Sequence, residues 1–183
     1  GENNVIDDPQ NNTLAEDQIE TIIVKDFPAD PERSGAFSYF SLRKNTLVDG
    51  PDNNDWDIAF NSITVLTNSG VSGSGQGGGV VLTGVNFDKL KKLPTEGWQV
   101  DKDGEPALSS PSWYTYTGSE GSPPHTIIPN PGVVLAIRTA DNKYVKLQIQ
   151  SYYMGGARIP RDGEASRYYT FRYQFQPNGS KKF

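Results

Sequence analysis

An all-β domain of many short antiparallel strands, with few or no helices, is what this sequence predicts. Three observations carry the prediction. Turn formers and β-formers are abundant, with Gly 19, Pro 13, Tyr 9, Phe 8 and Trp 3 among 183 residues, and they divide the chain into short runs. At Ser166–Gln176, SRYYTFRYQFQ, the residues Tyr169, Phe171, Tyr173 and Phe175 alternate with Tyr168, Thr170, Arg172, Gln174 and Gln176. That period of two puts one aromatic face on a core. Two apolar, β-branched runs, Val133–Thr139 and Tyr144–Tyr152, flank the turn-forming Ala140-Asp141-Asn142-Lys143, which is a β-hairpin pattern.

In chain order, residues 1–20 form a polar N-terminal segment expected to be loose. The β domain is expected over residues 21–176, with a short C-terminal tail at 177–183. Thr21–Asp26 and Phe37–Arg43 read as strands, and Leu47–Asn54 as a turn-rich link. Asp55–Leu66, DWDIAFNSITVL, is the best strand pair outside the hairpin. Asn68–Gly79, NSGVSGSGQGGG, is glycine-rich but is followed by no Gly-Lys-Ser/Thr and no helix signal. A flexible loop is expected there, not a phosphate cradle. Val80–Gly84 is a short strand, and Phe87–Leu93 one helical turn ending at Pro94. Trp98–Gly104 and Ser112–Thr117 read as further strand segments. Centring the hairpin turn between Asp141 and Asn142 sets Met154 opposite Pro129, with His125 four residues further out.

Composition removes several classes of function. A net charge of −5 argues against a nucleic-acid surface. No run is apolar enough to be a transmembrane segment. The absence of cysteine excludes disulfides, thiolate metal sites and cysteine nucleophiles. With one histidine, a hydrolase triad could be built only on His125, and no G-x-S-x-G elbow supplies a serine. Zinc would ask for more His or Cys ligands. The carboxylates Asp52, Asp55, Asp57 and Asp101, Asp103, Glu105 could be paired as in a glycosidase, but solvated turns are the expected reading. A calcium loop at Asp101–Gly104 lacks its distal glutamate.

His125 and Met154, each the sole residue of its type, flank the predicted hairpin. Alone, His125 reads as an exposed loop residue beside two prolines and Met154 as a core filler. Together they are an axial pair known for haem iron, an imidazole nitrogen with a thioether that favours the reduced metal. Trp113, Tyr114, Tyr116, Tyr152 and Tyr153 supply flat side chains nearby in sequence.

The segments DWDIAF (Asp55–Phe60), TNSG (Thr67–Gly70), GVVLAIRTADNKYVKLQIQSYY (Gly132–Tyr153) and YYTFRYQF (Tyr168–Phe175) resemble the HmuY family. These are haem-binding lipoproteins and haemophores of the Bacteroidetes. The resemblance runs from about Ile22 to Gln176. It implies a single HmuY-like β domain that clamps haem (iron protoporphyrin IX) between loops through two axial side chains and is not an enzyme. His125 and Met154 would be the iron ligands, with Tyr153 and Tyr116 against the porphyrin. A mixed His/Met pair departs from the founding member's two histidines. The resemblance further implies an N-terminal lipid anchor, a place on the outer membrane as a surface-exposed lipoprotein or in secreted form, host haemoproteins as a haem source, and delivery to a TonB-dependent outer-membrane receptor. The alternative from another class is a surface β-module that binds glycans or protein on Trp98, Trp113, Tyr114 and Tyr116.

Overall fold

The computed structural model describes residues 19–183, so nearly all of the segment expected to be loose lies outside the described residues. Eleven strands follow in order: β1 Ile22–Pro28, β2 Ser38–Ser41, β3 Thr46–Val48, β4 Ile58–Asn61, β5 Thr64–Thr67, β6 Gly78–Leu82, β7 Tyr114–Tyr116, β8 Ile127–Pro129, β9 Val134–Arg138, β10 Tyr144–Tyr153 and β11 Ser166–Gln176. They form a five-stranded sheet ordered β1-β11-β10-β9-β6, a four-stranded sheet ordered β3-β2-β4-β5, and a two-stranded ribbon β7-β8. Every pairing is antiparallel. No helix occurs among the described residues.

The core lies between the two larger sheets. Tyr169, Phe171 and Tyr173 point from β11 into it with no solvent exposure, as the period-two pattern predicts. From the facing sheet come Phe40 and Phe60, and from β1 comes Phe27. The Phe171 ring stands 5.5 Å from Phe60, 5.6 Å from Phe40 and 6.4 Å from Phe27, the offset and edge-on geometries that aromatic quadrupoles favour. Both tyrosine hydroxyls find carbonyls of the opposite sheet. Tyr173 donates to Leu42 O at 2.8 Å and Tyr169 to Ser62 O at 2.6 Å, so neither aromatic leaves a buried polar atom unpaired.

Buried Asp57 joins the sheets at one end. Its Oδ2 accepts from Leu42 N–H at 2.8 Å and its Oδ1 from Ala140 N–H at 3.0 Å. Burial raises its pKa to about 6 against the opposing pull of those two hydrogen bonds. Asp101, also buried, accepts from Thr67 N–H, the Thr67 hydroxyl and Ala107 N–H. Both residues depart from the solvated turns expected of the two acidic clusters. Asp52, Asp55, Asp103 and Glu105 do stay exposed. One carboxylate of each cluster folds inward because loop N–H groups buried beside it need an acceptor.

Other differences have equally local causes. The hairpin of β9 and β10 is one residue out of the expected register: Tyr144 pairs with Arg138 and Leu147 with Leu135. Its loop is Ala140-Asp141-Asn142, closed by Thr139 N–H to Lys143 O at 2.8 Å, with Asn142 left-handed at φ 62°, a three-residue turn in place of the expected four-residue Ala140–Lys143. The β9–β10 ladder ends at Leu135, and Pro129, in β8 of the separate ribbon, pairs with Tyr114 and not with Met154. The glycine-rich stretch is pinned, not flexible. Asn68, fully buried, accepts from Gly75 N–H and donates to Trp56 O, and a Cβ on Gly73 or Gly75 would collide with it. Thr46–Val48, assigned largely to a link, pairs as β3, while Trp98–Gly104 makes only isolated bridges. The expected turn after Phe87 is present, with Leu90 N–H bonded to Asn86 O at 3.0 Å.

The outer face of the larger sheet is covered by that turn and by the C-terminal tail. Lys146 is buried there, donating to Phe87 O at 2.6 Å and Leu90 O at 2.8 Å. Burial lowers its pKa to about 8. Phe183 N–H binds Lys91 O and Lys181 O accepts from Leu93 N–H, so the last residues belong to the folded body.

Two outcomes test this architecture. Phe171→Ala should cost about 3–5 kcal/mol of unfolding free energy in a denaturant titration. Asp57 is harder to ionise in the fold than in the unfolded chain. Its contribution to stability is therefore complete below the usual carboxylate range and is lost as pH rises through about 6. The stability difference between the protein and Asp57→Ala should shrink between pH 4 and pH 6.5, as read by thermal unfolding at each pH.

Candidate functional site

His125 and Met154 both emerge at the end of the sandwich where β10 finishes and β11 begins. Residues 117–126 connect β7 to β8 and close on themselves. Thr117 N–H bonds Thr126 O at 2.9 Å, and Thr126 N–H returns to the Thr117 hydroxyl at 2.8 Å. His125 sits at the base of this loop with its N–H on Gly118 O at 2.8 Å. Its φ of 50° is left-handed, a conformation that costs a non-glycine residue of order 1 kcal/mol and recurs at functional positions. The backbone thus turns the imidazole into solvent, where Nδ1 lies 2.6 Å from the Tyr116 hydroxyl.

Met154 begins the loop between β10 and β11. Its N–H binds Ala165 O at 2.8 Å, and Gly155 N–H donates to Asp26 Oδ1 at 2.9 Å. Asp26 occupies the bulge between Val24 and Phe27, where β1 slips register against β11. Its φ is 53°, so the strand kinks and the carboxylate reaches across to the Met154 loop. Met154 is 40% exposed, not the core filler that an isolated methionine suggests. Tyr116, at the end of β7, and Ile159, on the β10–β11 loop, are likewise exposed to solvent.

A tyrosine ties the two loops. Tyr153, directly before Met154, is buried and its hydroxyl accepts Ile127 N–H at 3.0 Å, two residues past His125. Arg158 makes a second tie, its Nε donating to Pro129 O at 3.0 Å. Of the side chains singled out in the sequence, Tyr116 therefore partners His125, and Tyr153 acts from within the core as a brace. Tyr152 is buried against Trp113, Tyr153 and Tyr169. The aromatic platform of the alternative reading is not assembled. Trp113 is buried, Trp98 packs on Tyr144 and bonds Pro94 O, and of the four only Tyr116 is exposed. Asp26 and Arg158 were missed in the sequence. An aspartate inside a strand run is the one signal that could have marked the bulge.

Chemically the end offers a nitrogen and a sulfur donor without an acidic cluster, since no group of three or more His, Cys, Asp or Glu that could hold a bare metal ion occurs among the described residues. The Tyr116 contact engages Nδ1 and leaves Nε2 as the open nitrogen of His125, the arrangement in which a neighbour orients a ligating imidazole. Three clefts, of about 440, 220 and 350 Å3, line other parts of the surface. The last runs from Pro129 to Arg158, between the β8–β9 connection and the Met154 loop.

Braced loops at one end of this two-sheet β protein thus carry its one imidazole and its one thioether. The HmuY protein family model matches residues 35–173, and the chain belongs to the HmuY family. Solved structures share the fold at low identity. A protein described as a lipoprotein of Bacteroides fragilis aligns with TM-score 0.55 at 18% identity, covering 84% of this chain and 86% of that one. The apo HmuY analog of Tannerella forsythia aligns with TM-score 0.55 at 13% identity, over 87% and 96% of the two chains. A protein of Bacteroides vulgatus described as HmuY-like and heme-binding aligns with TM-score 0.54 at 16% identity, over 87% and 92%. No curated protein matches the chain.

The brace is directly testable. Tyr153→Phe removes the acceptor of Ile127 N–H, so that amide should exchange with solvent at least about tenfold faster while core amides of β11 keep their protection, as followed by NMR hydrogen exchange.

Proposed function

We propose that this protein captures haem, with His125 and Met154 as the two axial ligands to iron, and passes it on without catalysis. The observation that carries the reading is the presentation of both donors from braced loops at one end of the fold. His125 is strained outward with Nδ1 engaged by Tyr116, and Met154 is held half-exposed by Asp26 and Ala165. Membership of the HmuY family supports it. When bound, haem iron supplies the coordination chemistry; the chain supplies an imidazole, a thioether and the apolar side chains of Tyr116 and Ile159. An imidazole with a thioether stabilises the reduced iron more than two imidazoles would.

The wider role follows from the same reading. The protein acts at the outer membrane, as a surface lipoprotein or in secreted form, takes haem from host haemoproteins and yields it to a TonB-dependent receptor. The description of a structural neighbour as a lipoprotein is consistent with that place. An exposed, loop-borne site suits a hand-off, because a partner can reach the ligand without opening the core.

Haemin titration by absorbance, with and without dithionite, tests the proposal. A saturable one-to-one spectrum with low-spin bands, tighter when reduced, is the expected result. His125→Asn combined with Met154→Leu should abolish it. Asparagine is chosen because it tolerates the left-handed backbone. An unchanged titration in the double variant overturns the ligand pair, and a flat titration of the unaltered protein overturns haem capture.

A further inference from the structure

We infer that the cleft between Pro129 and Arg158 is a carboxylate subsite, in which the Arg158 guanidinium receives a propionate of the bound porphyrin. The inference rests on the haem reading and adds to it a second point of attachment. Pro129 stands four residues after His125, and Arg158 four residues after Met154. The hydrogen bond from Arg158 Nε to Pro129 O, 3.0 Å long, thus joins equivalent points on the two ligand-bearing segments. Each point lies within about 13 Å of chain from its ligand. A guanidinium has five N–H donors in a planar fork. Using Nε on the carbonyl fixes the plane and leaves both Nη groups for a carboxylate, the pairing this geometry suits best.

The cleft has about 350 Å3 of space, and its other polar side chains are the amides of Asn130, Gln148 and Gln150. No carboxylate lines it, and Arg158 forms no ion pair among the described residues, unlike Arg43, Arg167 and Arg172. A second cation stands close, since a Cβ placed on Gly156 would lie 3.7 Å from Lys25 Cε. Of the carboxylates around the β10–β11 loop, Asp26 on β1 accepts Gly155 N–H, Glu164 accepts Arg161 N–H, and Asp162 does not line the cleft. An anion therefore meets donors and positive charge here with no acidic competitor in the wall.

Haemin and its dimethyl ester, in which both propionates are esterified and uncharged, separate the contributions. The unaltered protein should bind haemin at least about tenfold more tightly than the diester, the size of one charge-assisted hydrogen bond. Arg158→Gln should erase that preference while the low-spin bands persist, because His125 and Met154 are retained and the Tyr153 hydroxyl still ties the two segments. Arg158→Lys, which keeps the charge but not the fork, should retain part of it. A preference that survives in Arg158→Gln, or is absent from the unaltered protein, overturns the subsite. A flat haemin titration of the unaltered protein overturns the haem reading itself, so the two failures are distinct.

Discussion

Everything else in this molecule hangs on the aromatic seam that β11 lays between the two sheets. Phe171 is enclosed by Phe27, Phe40 and Phe60, and Tyr169 and Tyr173 carry the contact towards either end of the strand. Large rings bury much apolar area, and each such side chain is worth several kcal/mol when fully enclosed. The two tyrosines add a directional component that phenylalanines could not. Their hydroxyls reach fixed carbonyls across the interface, so the sheets can neither slide nor rotate without leaving a buried donor unpaired.

That rigidity is distributed unevenly, and the unevenness makes a site possible. At the β9–β10 turn the sheets are joined by Asp57, which takes a backbone N–H from each side. Burying a carboxylate there is costly, as its raised pKa of about 6 shows, and the cost is tolerated because two loop amides would otherwise go unbonded. At the opposite end the joints are hydroxyl and guanidinium contacts to loops, made by Tyr153 and Arg158. Loops braced in that way project side chains outward while their feet stay fixed.

Local strain reinforces the arrangement. His125 and Asp26 both adopt left-handed backbone conformations, and both act on the same end of the fold, one by presenting an imidazole and the other by holding the turn that follows Met154. The mild energetic penalty of each is borne by the aromatic seam. Such residues are kept where geometry matters more than stability.

By itself the sequence determined the all-β class, the aromatic face of β11, the β9–β10 hairpin and the likeness to the HmuY family. These depend on periodicity and composition, which short-range physics writes directly into the chain. It also singled out His125 and Met154, through rarity and position, with Tyr116 and Tyr153 as flat side chains near them in sequence. Tertiary structure alone decided the hairpin register, where a left-handed Asn142 shifted every pair by one residue. It decided that Asp57 and Asp101 turn inward while their neighbours stay in water, that the glycine-rich stretch closes on Asn68, and that Trp113 is core and not surface. The contacts of Asp57, Asp101 and Trp113 join residues far apart in the chain, set by which loop amide or cavity lies opposite after the sheets meet. The hairpin register and the closure on Asn68 turn instead on hydrogen bonds between near neighbours. No local pattern encodes that meeting, because it exists only once the aromatic seam has brought the two sheets together.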